Sequence, residues 1–132
     1  AARRTGGHPA KRVFQAIRIE VNGELESLEK CLETAFYRLS IGGRFAIITF
    51  HSLEDRLVKR AFAKLSTGCT CPPDFPICVC GKEPQAELIN RRPITASEQE
   101  LEVNNRSRSA KLRILKRIDD RSGKARTREG DY

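Results

Sequence analysis

The sequence predicts part of an α/β domain in which amphipathic helices alternate with short strands. Residues 9–39 repeat their apolar side chains at intervals of three and four, which is typical of helices with one buried face. Residues 44–50 form an apolar run without alternation, which predicts a strand buried on both faces. The predicted order is helix, strand, helix, strand, short helix, strand, which is half of a doubly wound α/β domain.

The first helical stretch is interrupted by Asn22-Gly23, and glycine costs about 1 kcal/mol inside a helix, so two helices or one kinked helix are expected. Ser40-Ile-Gly-Gly43 ends this stretch, and the strand from Arg44 to Phe50 follows. Ser52 and Asp55 have the spacing of a capping box, and a second amphipathic helix continues from them to Leu65.

Weaker signals follow a loop rich in Cys and Pro. Glu87–Pro93 is predicted to be a strand, and Thr95 or Ser97 could cap a short helix. Ala110–Ile118 alternates well enough to predict a strand, although its leucine and isoleucine spacing also suits a helix.

Composition limits the function classes. The 132 residues are 39% hydrophobic and 32% charged, which indicates one soluble globular domain at most. No apolar run reaches the length of a membrane span, and no secretory signal is recognisable. The chain contains no methionine, so we expect it to begin partway through a longer protein.

The net charge of +8 is concentrated at one end. Residues 106–132 carry ten basic and four acidic side chains, which favours a polyanionic partner such as nucleic acid. For the segment 119–132 we predict a basic, disordered tail, which could either contact a polyanion or only be solvated.

Four stretches resemble the bacterial 16S ribosomal RNA cytosine-N4 methyltransferases, which use S-adenosylmethionine. They occur in the order of that family across residues 5–118. The stretches are Gly7-His-Pro-Ala-Lys-Arg-Val-Phe-Gln-Ala-Ile-Arg18 with Asn22-Gly-Glu-Leu25, Thr49-Phe-His-Ser-Leu-Glu-Asp-Arg56 with Val58-Lys-Arg60, Arg91-Arg-Pro-Ile94, and Asn105-Arg-Ser-Arg-Ser-Ala-Lys-Leu-Arg113.

The resemblance implies the C-terminal portion of a class I, Rossmann-like methyltransferase core. Its doubly wound sheet would be incomplete and would end in an antiparallel strand pair near Leu88 and Leu112. Residues 1–118 would belong to this domain, with a variable Cys-rich loop at 67–84. The family's glycine-rich cofactor turn has no counterpart here, since neither Gly6-Gly7 nor Gly42-Gly43 follows a strand and opens a helix. We therefore expect the S-adenosylmethionine site to lie largely outside this chain, which alone would be inactive.

The polar turn after the predicted strand supplies the candidate catalytic residues. His51, Glu54 and Asp55 lie near the edge of the sheet where α/β proteins place their ligands, and they could line a pocket for the cytidine amine. The alternative is that Asp55 only caps a helix and Glu54 only pairs with a neighbour. A methylated base must leave its stack, and Phe50 could then offer a stacking face or belong to the core.

Candidate contacts to 16S rRNA of the small ribosomal subunit lie on the first helix and near the end of the domain, with Arg56 in the polar turn between them. The first set could equally be an exposed helix surface. The second set would form a basic edge suited to phosphates. The candidates are Arg12, Gln15, Arg18, Asn22, Arg56, Arg106, Arg108, Lys111 and Arg113.

The cysteines of the loop allow three states. Cys69, Cys71, Cys78 and Cys80 could hold zinc, although paired zinc cysteines are usually spaced by two or more residues. They could also stay reduced, or form disulfides, which a cytoplasmic rRNA enzyme disfavours.

Two functions of different classes remain. The first is an rRNA methyltransferase of which this chain is the C-terminal part. The alternative is a non-catalytic, basic RNA-binding module with a zinc loop. A glycine-rich turn after a first strand upstream of this chain would favour the enzyme.

Overall fold

The computed structural model describes residues 10–69, 71, 72, 77 and 80–118. It begins with two consecutive helices, α1 (Lys11–Asn22) and α2 (Glu24–Arg38). Gly23 separates them with φ of 58°, a left-handed conformation that side-chain-bearing residues rarely adopt. The predicted break at Asn22-Gly23 is therefore confirmed as two helices.

Strands and shorter helices complete the described part of the chain. They are β1 (Arg44–Thr49), α3 (Ser52–Ser66), β2 (Ala86–Leu88), β3 (Ile94–Thr95), α4 (Glu98–Val103), a 3-10 helix (Asn105–Ser109) and β4 (Lys111–Arg117). Of the two predicted caps, Ser97 is the one used, since its hydroxyl accepts the Glu100 N–H at the start of α4. The ambiguous final segment is a strand. No described helix has the length and apolar character needed to cross a membrane.

The four strands form one sheet in which the described pairings are antiparallel. Its order is β1-β4-β2, and β3 also pairs with β4. Leu115 of β4 lies opposite Phe45 of β1 and opposite Leu88 of β2. The expected closing antiparallel pair is thus confirmed as β2 and β4.

Helices α2 and α3 cover one face of this sheet. Their buried residues and those of the sheet form a single apolar core, in which the Phe45 and Phe62 rings pack with centroids 5.9 Å apart. The fully buried apolar side chains are Leu32, Phe36, Val58, Phe62, Ala86 and Leu115. This layer fixes the start of α3 against the end of β1, where the candidate site lies.

The opposite face of the sheet carries the apolar side chains that the core does not use. The expectation that β1 is buried on both faces is wrong for the described structure, because burial alternates along the strand. Phe45 and Ile47 pack against the core, whereas Ala46 and Ile48 are exposed. Among the described residues β1 pairs only with β4, so it is the edge strand of this sheet.

The predicted strand Glu87–Pro93 is a strand only at its start, within β2, and β3 begins after its end. Asn90 lies between them, and its side chain replaces the missing backbone pairing. Its Oδ1 accepts the Ile114 N–H at 2.7 Å, and its Nδ2 donates to the Leu112 carbonyl at 3.0 Å. Because the side-chain amide forms the hydrogen bonds that the backbone N–H and C=O groups of β4 need, the chain can bend at Asn90 without leaving those groups unpaired.

Candidate functional site

The turn between β1 and α3 is closed by reciprocal hydrogen bonds. His51 is the N-cap, and its Nδ1 accepts the Glu54 N–H at 3.3 Å. The Glu54 carboxylate in return accepts the N–H groups of Phe50 at 3.0 Å and His51 at 3.3 Å. The predicted capping box of Ser52 and Asp55 therefore lies one residue earlier, between His51 and Glu54.

The same bonds orient the His51 imidazole. Because Nδ1 accepts a backbone N–H, the neutral ring carries its proton on Nε2. That nitrogen is buried, lies 3.2 Å from Glu54 Oε1 and 4.0 Å from Glu24 Oε2, and forms no hydrogen bond in the described structure. The side chain is only 10% exposed, so the imidazole ring is held in one orientation beside the turn.

A metal ion does not fit this cluster, although Glu24, His51 and Glu54 bring their ligand atoms within 4.8 Å of one another. A metal on Nε2 needs that nitrogen's lone pair, so the proton would have to move to Nδ1. A protonated Nδ1 could no longer accept the Glu54 N–H that caps α3. The hydrogen bonds of this cluster thus account for its arrangement without a metal ion.

Glu24 links α1 to this turn. Its carboxylate accepts two bonds from the Arg18 guanidinium, at 2.8 and 3.1 Å, and one from Asn22 Nδ2 at 3.2 Å. The bond from Arg18, followed by that from Asn22, holds the pKa of Glu24 below its ordinary value of 4.5. The carboxylate is therefore ionised at neutral pH and positions α1 beside His51.

Asp55 points to the sheet instead of the cleft. Arg113 of β4 donates to both of its oxygens, at 2.7 and 3.1 Å, and Lys111 Nζ lies 3.6 Å away. The Arg113 guanidinium, more than any other group, holds the pKa of Asp55 below its ordinary value of 3.8. Both partners are almost buried, so the pair ties the first turn of α3 to the sheet.

A cleft opens between α1 and the β1–α3 turn. Its volume is about 550 Å³, which lies within the range of small-molecule pockets. Phe14 and Phe50 stand at it with 70% and 57% of their surface exposed. The lining residues are Lys11, Phe14, Gln15, Arg18, Phe50 and His51. Two exposed aromatic rings beside cations are the features that bind a flat, unstacked base on a phosphate chain.

The structure brings some of the predicted site residues together and separates others. Gln15, Arg18 and His51 meet at the cleft, and Asn22 contacts it through Glu24. Arg12 is exposed on α1, and Arg106 and Arg108 are exposed on the 3-10 helix. Arg56 lines a second cavity of about 620 Å³ between α2 and α3.

Arg113 does not belong to an exposed basic edge. Its side chain is buried in the ion pair with Asp55, so phosphates cannot reach it without breaking that pair. Lys111 also contacts Asp55 but is 40% exposed and keeps donors for a second partner. The predicted edge is thus reduced to Arg106, Arg108 and Lys111.

Sequence reasoning missed Lys11, Phe14 and Glu24. Phe14 belongs to the apolar repeat of residues 9–39, which predicts a buried face, yet no residue of α1 is buried in the described structure. Glu24 follows Asn22-Gly23 in the resemblance, which was the available signal for it. Lys11 is one of several cations near the start of α1, and its position at the cleft appears only in three dimensions.

The cysteine loop lies at the other end of α3. Cys69, Cys71 and Cys80 are described and none is in a disulfide. Cys78 lies outside the described residues, as does the predicted tail at 119–132.

The sequence of this chain is similar to that of known proteins over most of its length. The model of a family described as the MraW methylase family matches residues 1–118. This chain belongs to that family. A protein named ribosomal RNA small subunit methyltransferase H from Clostridium botulinum is 62% identical over 112 residues, 85% of this chain. A protein of the same name from Heliobacterium mobile is 58% identical over 118 residues, 89% of this chain. The chain spans 36–38% of the length of these relatives.

Proposed function

We propose that this chain forms the substrate-side portion of an S-adenosylmethionine-dependent methyltransferase that modifies N4 of a cytidine in 16S rRNA. Membership of the MraW methylase family and the names of the two relatives support the reaction class and the rRNA substrate. The resemblance of the sequence supports the cytidine. The observation that carries the proposal is the cleft with exposed Phe14 and Phe50 beside His51, whose side chain is 10% exposed.

The target base enters this cleft after leaving its stack. Phe14 and Phe50 provide apolar faces for the extruded ring, and stacking on an aromatic side chain contributes about 1–3 kcal/mol per base. Lys11 and Arg18 provide positive charge for the phosphates on either side of the extruded nucleotide. Arg18 is already fixed by Glu24, so it would hold a phosphate without first being ordered.

His51, Glu54 and Asp55 act in this proposal by positioning. The ring of His51 forms the inner wall of the cleft, and Glu54 fixes the backbone from which that ring projects. Asp55 anchors the same turn to β4 through Arg113. Methyl transfer to an exocyclic amine needs the nitrogen held in line with the donor, so a rigid wall contributes directly to the rate.

The described residues do not fit the S-adenosylmethionine site itself. Two described strands, β1 and β3, run into a helix after only two residues, and neither of these turns contains a glycine. The N–H groups of Phe50, His51 and Glu54 after β1 are taken by the capping bonds. We therefore place the methyl donor on residues outside this chain, and we route no step through it here.

Longer-range contacts to the small ribosomal subunit would come from the exposed cations. Arg106 and Arg108 project from the 3-10 helix immediately before β4, and Lys111 follows at the start of that strand. Arg12 and Arg56 extend positive charge along α1 and α3. Such contacts position an RNA without reading its sequence. The enzyme would act in the cytoplasm.

The test uses the full-length protein with unmethylated small ribosomal subunits and tritium-labelled S-adenosylmethionine. We expect label in the 16S rRNA, and N4-methylcytidine after digestion to nucleosides. Binding of the subunit without methyl transfer would instead identify a non-catalytic RNA-binding module. Label on another base, or on ribosomal protein, would contradict the assignment of cytidine.

A further inference from the structure

The loop that follows α3 gathers sulfur atoms at a spacing that suits a metal ion. Cys69, Cys71 and Cys80 place their Sγ atoms within 4.8 Å of one another, and those of Cys69 and Cys80 are 3.5 Å apart. A disulfide requires about 2.05 Å between sulfurs. Around a tetrahedral zinc ion with Zn–S bonds of about 2.3 Å, neighbouring sulfurs are about 3.8 Å apart. We propose that Cys69, Cys71 and Cys80 bind one Zn²⁺ ion.

The backbone resolves the difficulty posed by the short Cys-x-Cys spacing. The Cys71 N–H donates to Cys69 Sγ at 3.4 Å, so the chain turns tightly enough to direct both sulfurs to one side. A hydrogen bond from a backbone N–H also stabilises the negatively charged thiolate that a metal requires. Gly81, directly after Cys80, has φ of 55°, a left-handed conformation that glycine adopts without strain.

The base of the loop brings its two arms together independently of any metal. The Gln85 N–H donates to the Leu65 carbonyl at 2.9 Å, and a Cβ on Gly68 would come within 3.1 Å of the Pro84 ring. The arms therefore meet next to Cys69 and Cys80. Farther along the loop Ile77 is exposed, and none of the described residues between 67 and 84 belongs to the apolar core. A metal cross-link would supply the stability that this loop does not gain from packing.

The donor set selects the ion. Three thiolates are soft ligands, which favour zinc over calcium, magnesium or manganese. Binding would release the three thiol protons and leave a fourth coordination position for water or another ligand. His51 lies at the start of helix α3 and the cysteine loop follows its end. The fifteen residues of this helix span about 22 Å, which is therefore the approximate distance between the cleft and the ion. The ion would therefore stabilise structure and would not take part in methyl transfer.

Elemental analysis of the full-length protein, purified without chelators and without an immobilised-metal column, tests the site. We expect about one zinc ion per chain. Cys69→Ser and Cys80→Ser should each lose at least nine-tenths of the zinc. Cys31→Ser, which removes a thiol from α2, is the matched control and should retain it. Cobalt in place of zinc should give the intense sulfur-to-metal absorption and visible bands of a tetrahedral thiolate complex.

A second measurement avoids variants that fail to fold. A mercurial reagent added stepwise to the wild-type protein should release zinc in proportion to the thiols it modifies, and a dye that changes colour on binding zinc records the release. Four results would overturn the proposal. The first is that the protein neither contains zinc nor binds added zinc after reduction, and the second is that it contains iron instead of zinc. The third is a disulfide between Cys69 and Cys80 in fresh lysate, and the fourth is that both serine variants keep their full zinc content.

Discussion

The ion pair between Asp55 and Arg113 is expected to hold the candidate site in place. Removing one partner of a buried pair costs roughly 3–5 kcal/mol, because the other charge is left uncompensated. Asp55 and Arg113 are 13% and 10% exposed and share two hydrogen bonds, so we expect about 3 kcal/mol for Asp55→Ala. We expect about 2 kcal/mol for Arg113→Met, because Asp55 keeps Lys111 at 3.6 Å.

A double-mutant cycle isolates the pair. Without coupling the two changes would add to about 5 kcal/mol, whereas we expect about 3 kcal/mol for the double variant, a coupling of about 2 kcal/mol. Amide hydrogen exchange on peptides of α3 and β4 in the full-length protein measures the local opening free energy. Glu26→Ala is the control, since Glu26 and Lys30 form an exposed pair of similar length that contributes about 0.3–0.5 kcal/mol.

The pH dependence of the same peptides gives an independent check. The folded pKa of Asp55 is lowered, so its contribution to stability is fully present above the ordinary value of 3.8 and is lost as the pH falls further, through the folded pKa. Wild-type protection should therefore decline below that value, and Asp55→Ala should lack this part of the decline. A coupling below about 0.5 kcal/mol, or equal acid sensitivity in both proteins, would show that this ion pair does not hold α3 against the sheet.

Two further predictions concern the cleft and the basic edge. Asn is a good N-cap, so His51→Asn should keep α3 intact while lowering kcat for methyl transfer, whereas His51→Ala should also lose about 1 kcal/mol of stability. If His51→Asn has the same kcat as wild type, and thermal denaturation confirms its stability, the imidazole ring does not contribute to methyl transfer. Arg106→Ala and Arg108→Ala should each make the slope of log affinity for rRNA against log salt concentration shallower, by the amount that corresponds to about one phosphate contact. An unchanged slope in filter-binding titrations over a range of salt concentrations would show that these side chains do not contact RNA.

Local signals in the sequence predicted most of the elements. Gly23 divides the first helical stretch because a residue at positive φ is needed there, and a glycine in a helical pattern signals that directly. The alternation of residues 110–118 predicted β4, whose burial alternates along its length. The closing antiparallel pair came from the resemblance, and the register of β2 with β4 confirms it.

Contacts distant in sequence explain the rest. The predicted strand at residues 87–93 ends early because the Asn90 side-chain amide, in place of the backbone, pairs with β4 more than twenty residues later. The sequence predicts Arg113 as a phosphate ligand among other cations. In the structure its guanidinium instead pairs with the carboxylate of Asp55, 58 residues earlier in the chain. None of these partners is identifiable from spacing alone.

In the proposed function, the cleft between α1 and the β1–α3 turn holds the extruded cytidine. The most direct measurement is kcat/KM for methylation of small subunits by the full-length variants Phe14→Leu and Phe50→Leu. Loss of stacking worth about 1–3 kcal/mol predicts a decrease of roughly 5- to 150-fold for each. Tyr37→Leu removes an exposed aromatic ring from α2, away from the cleft, and should change kcat/KM less than about twofold. Values for Phe14→Leu and Phe50→Leu that match that control would contradict the account.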